Sequence, residues 1–142
     1  ELNRKGVLMA IIYNIHSMLS MKVLKNFDIH AYFSSILGPD TLPFCKPSPE
    51  PILKLLRDFH IDAHEGVIVG DSFSDIIAGR SAGVMTVGCS YGYGKASELT
   101  LADYRISNIQ ELLRLPLFGC EFSDWAVEKN RPMPYILKGS QT

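Results

Sequence analysis

Three cysteines in 142 residues are few, and Cys45, Cys89 and Cys120 are widely spaced without a CxxC pair. An odd, scattered set of this kind excludes a disulfide framework and a structural zinc site, and makes reduced thiols the expectation. No stretch approaches the ~18 consecutive apolar residues of a membrane span. Glu1 to Gly6 is polar where a signal peptide would need an apolar run. Neither sign of charge is in excess: 14 Lys and Arg face 15 Asp and Glu, a formal net charge of -1. The basic footprint that nucleic acid or an anionic membrane would require is missing, so a soluble, cytoplasmic protein is expected. Internal repeats and low-complexity tracts are also absent. What remains, 46% hydrophobic and 20% charged residues, suits one globular domain with a buried core.

The apolar runs alternate with amphipathic stretches. Val7 to Tyr13 (VLMAIIY) has the length and continuity of a strand buried on both faces. Before it, Leu2 to Lys5 followed by Gly6 reads as the last turn of a helix, so the chain is expected to begin inside an element. Ser17 to Phe27 carries apolar residues at helical spacing, and Ala31 to Leu37 offers a weaker strand. Pro49 opens a better helix, with Ile52, Leu53, Leu55, Leu56 and Phe59 on one face and Lys54, Arg57 and Asp58 toward water. Gly66 to Gly70 (GVIVG) predicts a short buried strand, Ser74 to Ala82 a helix closed by Gly83, and Val84 to Cys89 another strand. A glycine-rich turn at Tyr91 to Gly94 precedes a short strand at Tyr104 to Ser107 and a short helix at Ile109 to Leu115. Strands alternating with helices predict an α/β fold with a mostly parallel, Rossmann-like sheet over residues 1–115. Residues 116–142, where apolar residues are scattered among charges and prolines, read as an irregular tail.

Three places carry candidate chemistry. In VIVGDSFSDIIAGRSAG, a buried strand delivers Asp71 to the carboxyl edge of the sheet, and Asp75 follows in the first turn of the next helix. Ligands of open parallel sheets bind outside that edge, so two carboxylates there suit Mg²⁺. Helix capping is the plainer role open to either aspartate, although Ser72 is placed to cap instead. In CKPSPEPIL, Pro47, Pro49 and Pro51 stiffen the segment around Lys46, whose ammonium suits a phosphate as point-charge partner; a solvated loop lysine is the alternative. Asn14, directly after VLMAIIY, offers amide groups to phosphate oxygens or simply to a turn. His16, His30, His60 and His64 lack a ligand pattern on one helix face, and Cys45 lacks a His or Asn partner. Neither GxGxxG nor GxxxxGK[ST] follows any strand, which disfavours a nucleotide-binding domain.

Taken in order, IIYN after a strand, CKPSPEPIL and GVIVGDSFSDIIAGRSAGV resemble the second, third and fourth motifs of the haloacid dehalogenase-like (HAD) superfamily of Mg²⁺-dependent phosphatases, most closely its phosphoglycolate phosphatase-like branch. SYGYGKASELTLADYRISNIQELLRL is similar to the end of such enzymes, so the resemblance spans Leu2 to Leu115. It implies hydrolysis of a small phosphorylated metabolite through an aspartyl-phosphate, with Lys46 as the phosphate and nucleophile clamp, Asn14 as a phosphate contact, Asp71 as the Mg²⁺ ligand and Asp75 as its acidic supporter. Tyr13 stands where that family places Thr or Ser before the Asn.

The larger departure is the family's first motif, a strand followed by DxDGT that carries the attacking Asp. No DxD occurs anywhere in the chain, and the helical cap that follows that motif is missing too. The resemblance therefore implies the carboxyl-terminal portion of a phosphatase, inactive by itself. The alternative is a non-catalytic module that binds a phosphorylated ligand or a strand-completing partner, including a second copy. It also implies a sheet incomplete at its amino-terminal strand. That strand lies centrally, between the ones corresponding to VLMAIIY and GVIVG. At ~1 to 3 kcal/mol per buried unsatisfied backbone group, its loss would rival a total stability of roughly 5 to 15 kcal/mol. The neighbours are expected to close up, to borrow a strand from another chain, or to form a weak fold.

Overall fold

In a computed structural model, residues 1–15, 17–115 and 135–140 are described. Six strands form one sheet in the order β2-β1-β6-β3-β4-β5, and every pairing is parallel. They are β1 (Met9–Tyr13), β2 (Ser35–Leu37), β3 (Gly66–Gly70), β4 (Met85–Cys89), β5 (Tyr104–Ile106) and β6 (Tyr135–Ser140). The helices are α1 (Ser17–Asn26), α2 (Glu50–Phe59) and α3 (Phe73–Ala82). The expected α/β architecture is present, with 3-10 turns at Asn3–Lys5 and Ile109–Arg114, where helical turns are expected, and at His30–Tyr32, where the sequence predicts the start of a strand.

Periodicity fixes which way each strand faces. Ala10 and Ile12 of β1 and Ile68 of β3 join Ile52, Leu55 and Leu56 of α2 and Ala78 and Ala82 of α3 in one buried cluster. The intervening residues face the other side: Ile11 and Tyr13 pack with Leu24 of α1, while Val67, Val69 and Val87 pack with Ile106 and Leu112. All five residues of β3 are buried, as expected of a parallel strand covered on both faces. Its helix α3 ends at Gly83, whose φ of 77° is the left-handed geometry that glycine adopts without a Cβ penalty. His60 plays the corresponding part for α2.

The centre of the sheet holds the main correction. The position between β1 and β3 is neither closed nor vacant: β6, from the segment expected to be irregular, occupies it. Met9 to Tyr13 pair with Ile136 to Ser140, and Gly66 to Val69 pair with Tyr135 to Lys138. The physical reason is the one that made the gap costly. Two buried parallel strands present rows of N–H and C=O groups, and a run of extended backbone between them satisfies both rows. Tyr-Ile-Leu between Pro134 and Gly139 is too short a pattern to announce a strand. The rest of the expected tail, residues 116–134 and 141–142, lies outside the described residues, as do His16 and Cys120. Among the described residues no helix is long and apolar enough to cross a membrane.

Candidate phosphate and cation site

The strand order reverses direction around β1, β6 and β3, and at such a point the loops leaving neighbouring strands diverge and open a crevice at their carboxyl ends. Asn14 follows β1, Lys46 lies on the loop from β2 to α2, and Asp71 and Asp75 follow β3. Topology therefore collects the four sequence candidates at one edge.

Their bonds are specific. The Lys46 backbone N–H donates to Asn14 Oδ1 at 3.0 Å, and Asn14 Nδ2 donates back to the Lys46 carbonyl at 2.9 Å. Two opposed bonds between one amide side chain and one peptide fix the lysine backbone against the end of β1. The Lys46 Nζ reaches inward, donating to the Ile12 carbonyl at 2.9 Å and to Asp75 Oδ1 at 2.6 Å. Both charged side chains are fully buried. Such a pair persists only where hydrogen bonds satisfy its remaining groups. Asp75 Oδ2 meets that condition by accepting from the Ser72 N–H at 3.2 Å and from Ser72 Oγ at 2.8 Å. Ser72 caps α3 in return by accepting from the Asp75 N–H, completing a capping box. Gly70 makes room for this arrangement, since a Cβ there would collide with the Asp75 carboxylate.

Asp71 is held differently. Its Oδ2 accepts from the Tyr93 N–H at 2.7 Å, on the loop after β4. Among the described residues its Oδ1 has no hydrogen-bond partner, and the side chain lies at the margin of burial. The nearby Tyr91 phenol has its pKa pushed up, foremost by burial, then by a hydrogen bond with the Cys89 thiol, with the charge of Asp71 acting in the same sense.

The structure thus joins Asn14, Lys46 and Asp75 into one network and gives Asp71 to the neighbouring loop, the two linked through Ser72. Partners that pattern reasoning missed are the Ile12 carbonyl, which carries no side-chain signal, and Tyr93. The glycines of SYGYG were visible as a turn but gave no hint of the aspartate they face. Elsewhere, Asp62 and Glu65, which lie close to His64, form a reciprocal capping box that explains them without a ligand. An apolar cavity of about 320 Å³, lined by Leu2, Met9, Phe33, Val69, Ile109 and Leu112 among others, includes none of the four site residues.

A sequence profile of haloacid dehalogenase-like hydrolases matches residues 1–89. The chain belongs to this family. Among curated HAD-like relatives, it is 39% identical over 112 residues to a phosphoglycolate phosphatase of Neisseria meningitidis, covering 75% of this chain and 48% of that one. With a phosphoglycolate phosphatase of Aquifex aeolicus it shares 36% identity over 114 residues, covering 80% and 53%. The fold is similar to the crystal structure of a predicted phosphoglycolate phosphatase from Haemophilus somnus, with a TM-score of 0.76, 31% identity and coverage of 80% and 51%. A HAD-superfamily hydrolase from Geobacter sulfurreducens gives a TM-score of 0.64 at 30% identity, covering 78% and 53%. The chain spans about half the length of the curated relatives it matches.

A divalent cation fits part of this site. Mg²⁺ is typically bound through one or two carboxylates with water and substrate oxygens completing six positions. Asp71 has an oxygen to give. Asp75 is more heavily engaged, with one oxygen accepting from Lys46 and the other from Ser72. The residues therefore fit Asp71 as a protein ligand, with Asp75 beside it as an acidic group that also fixes Lys46 and caps α3.

Proposed function

We propose that this HAD-like chain supplies the phosphate-binding and cation-binding half of a phosphate monoester hydrolase for a small phosphorylated metabolite, with 2-phosphoglycolate as the first candidate. The observation that carries this reading is the Asn14–Lys46–Asp75 network: a buried lysine, locked at backbone and ammonium, at the carboxyl edge beside an aspartate with an unengaged oxygen. A phosphoryl oxygen arriving at this edge would meet the Lys46 charge and the second hydrogen of the Asn14 amide. Mg²⁺ held by Asp71 would supply further neutralisation of phosphoryl charge. The curated relatives named above support the substrate class.

Hydrolysis through an aspartyl-phosphate needs an attacking carboxylate, and the strand lying where one would be delivered reads Tyr135–Ser140, without an acidic residue. The 142-residue chain is therefore expected to bind and not to turn over. The test is calorimetric titration with 2-phosphoglycolate and Mg²⁺, alongside a phosphate-release assay with 2-phosphoglycolate and an aryl phosphate. Binding weakened by Lys46→Ala and Asp71→Asn, with no release of phosphate, is the expected result. Turnover that disappears in Asp71→Asn would overturn the inactivity, and absence of any phosphate binding would overturn the site. The second reading, a non-catalytic binding module, rests on the missing DxD and predicts the same binding without any upstream activity to complete.

A further inference from the structure

The loop after β4 makes an approach to Asp71 that only glycine permits. A Cβ on Gly92 would overlap the Cβ, Cγ and Oδ2 of Asp71, and one on Gly94 would overlap the Asp71 carbonyl and come within 3.3 Å of the Ser72 Cα. Backbone conformation does not demand these glycines, since among the described residues the positive-φ glycines are Gly6 and Gly83. They are glycines because Asp71 fills the space a side chain would take. Between them, Tyr93 presents its N–H to Asp71 Oδ2 at 2.7 Å while its side chain stands 91% exposed, so this residue meets the site through its backbone.

We propose that Gly92, Tyr93 and Gly94 form a backbone clamp that positions Asp71, engaging Oδ2 and presenting Oδ1 alone to a cation. The inference deepens the cation-site reading and rests on it for the identity of the ligand, but the clamp itself is a property of the loop. It assigns Asp71 single-oxygen ligation, because the second oxygen is committed to Tyr93. It also makes Gly92 a positioning residue that acts without touching the cation. Outer-shell partners of this kind typically change metal affinity by about 10- to 100-fold.

The experiment uses the full 142-residue chain in three forms: unmodified, Gly92→Ala, and Gly88→Ala as a control whose added Cβ meets Leu99 and Ala102 and not Asp71. Amide NMR follows Tyr93 without metal and then through a Mg²⁺ titration. The expected result is a shifted Tyr93 amide and about 10- to 100-fold weaker Mg²⁺ binding in Gly92→Ala, neither of which Gly88→Ala reproduces. A thermodynamic cycle supplies the readout that needs no metal: Gly92→Ala lowers Tm in the natural background and lowers it less in Asp71→Gly, where the overlapping atoms are gone. If Gly92→Ala alone does not fold, recovery of folding in Asp71→Gly gives the same support. Equal losses in both backgrounds, or a Tyr93 amide indifferent to Gly92→Ala, would overturn the clamp. Failure of the unmodified chain to bind Mg²⁺ would instead overturn the cation reading, with the cycle still deciding the clamp.

Discussion

Removing β6 should unfold this chain, and the magnitude follows from the register. The strand makes five residue pairs with β1 and four with β3. At about 1 kcal/mol net per backbone hydrogen bond, with roughly one ladder bond per pair, its loss costs on the order of 5 to 10 kcal/mol. The newly exposed edges add to this, because Ala10, Ile11, Val67 and Ile68 are buried strand residues beside it. A domain of this size has roughly 5 to 15 kcal/mol in total, so a chain ending at Pro134 should lose its cooperative transition. Leu137→Pro is the gentler form, since it removes one N–H from the middle of a strand paired on both sides. Urea unfolding followed by far-ultraviolet circular dichroism is the assay, with hydrogen exchange at Ile11, Ile12, Val67 and Val69 as the local probe. A truncated chain with an unchanged urea midpoint and protected amides at those four positions would refute the reasoning, and would mean that β1 and β3 pair directly.

Replacing Lys46 by Met leaves Asp75 buried without its counter-charge, and should cost about 3 to 5 kcal/mol in chemical denaturation; Asp75→Asn should cost a similar amount, because it takes the carboxylate charge from the buried ammonium and turns an amide NH2 toward a donor. The double variant should be less than additive, and strict additivity would show that the pair is not coupled. Ser107 donates to Glu111 through both its hydroxyl and its backbone N–H, which lowers the Glu111 pKa. A lowered carboxyl stabilises the fold above its ordinary value of about 4.3 and loses that contribution as pH falls through the folded value. The Tm difference between the natural chain and Ser107→Ala should therefore be present at neutral pH and shrink in acid. The raised Tyr91 phenol carries the opposite sign: stability falls as pH rises past the ordinary tyrosine value of about 10. Ultraviolet titration should show a late-ionising component that Tyr91→Phe removes.

Much of the fold was legible because its signals are local. GVIVG is strand β3 to the residue, and the face predicted for α2 is the face it buries. The edges of β1 and β2 were overextended, since Val7 and Phe33 are apolar residues that pack without pairing. The four site residues were named from residue type and position, and their collection at one edge follows from strand order. Their hydrogen-bond partners were not legible. The sequence ranks Asp71 ahead of Asp75 as a ligand, but the bonds that Lys46, Ser72 and Tyr93 make to their oxygens carry no sequence signal. β6 was illegible for a deeper reason: its extended state is set by two rows of backbone groups more than sixty residues away in the chain, and no pattern within Tyr135–Ser140 records them.

The placement of β6 also constrains how this molecule is made. In chain order β1 to β5 all precede β6, so the segments of β2-β1 and β3-β4-β5 are made before the strand that unites them, each with an inner border left to pair. Until it emerges, the nascent chain carries two templates for pairing with any extended peptide nearby, its own sisters on a polysome included. Intermolecular pairing before that point should therefore depend on translation speed across the codons for Tyr135–Ser140.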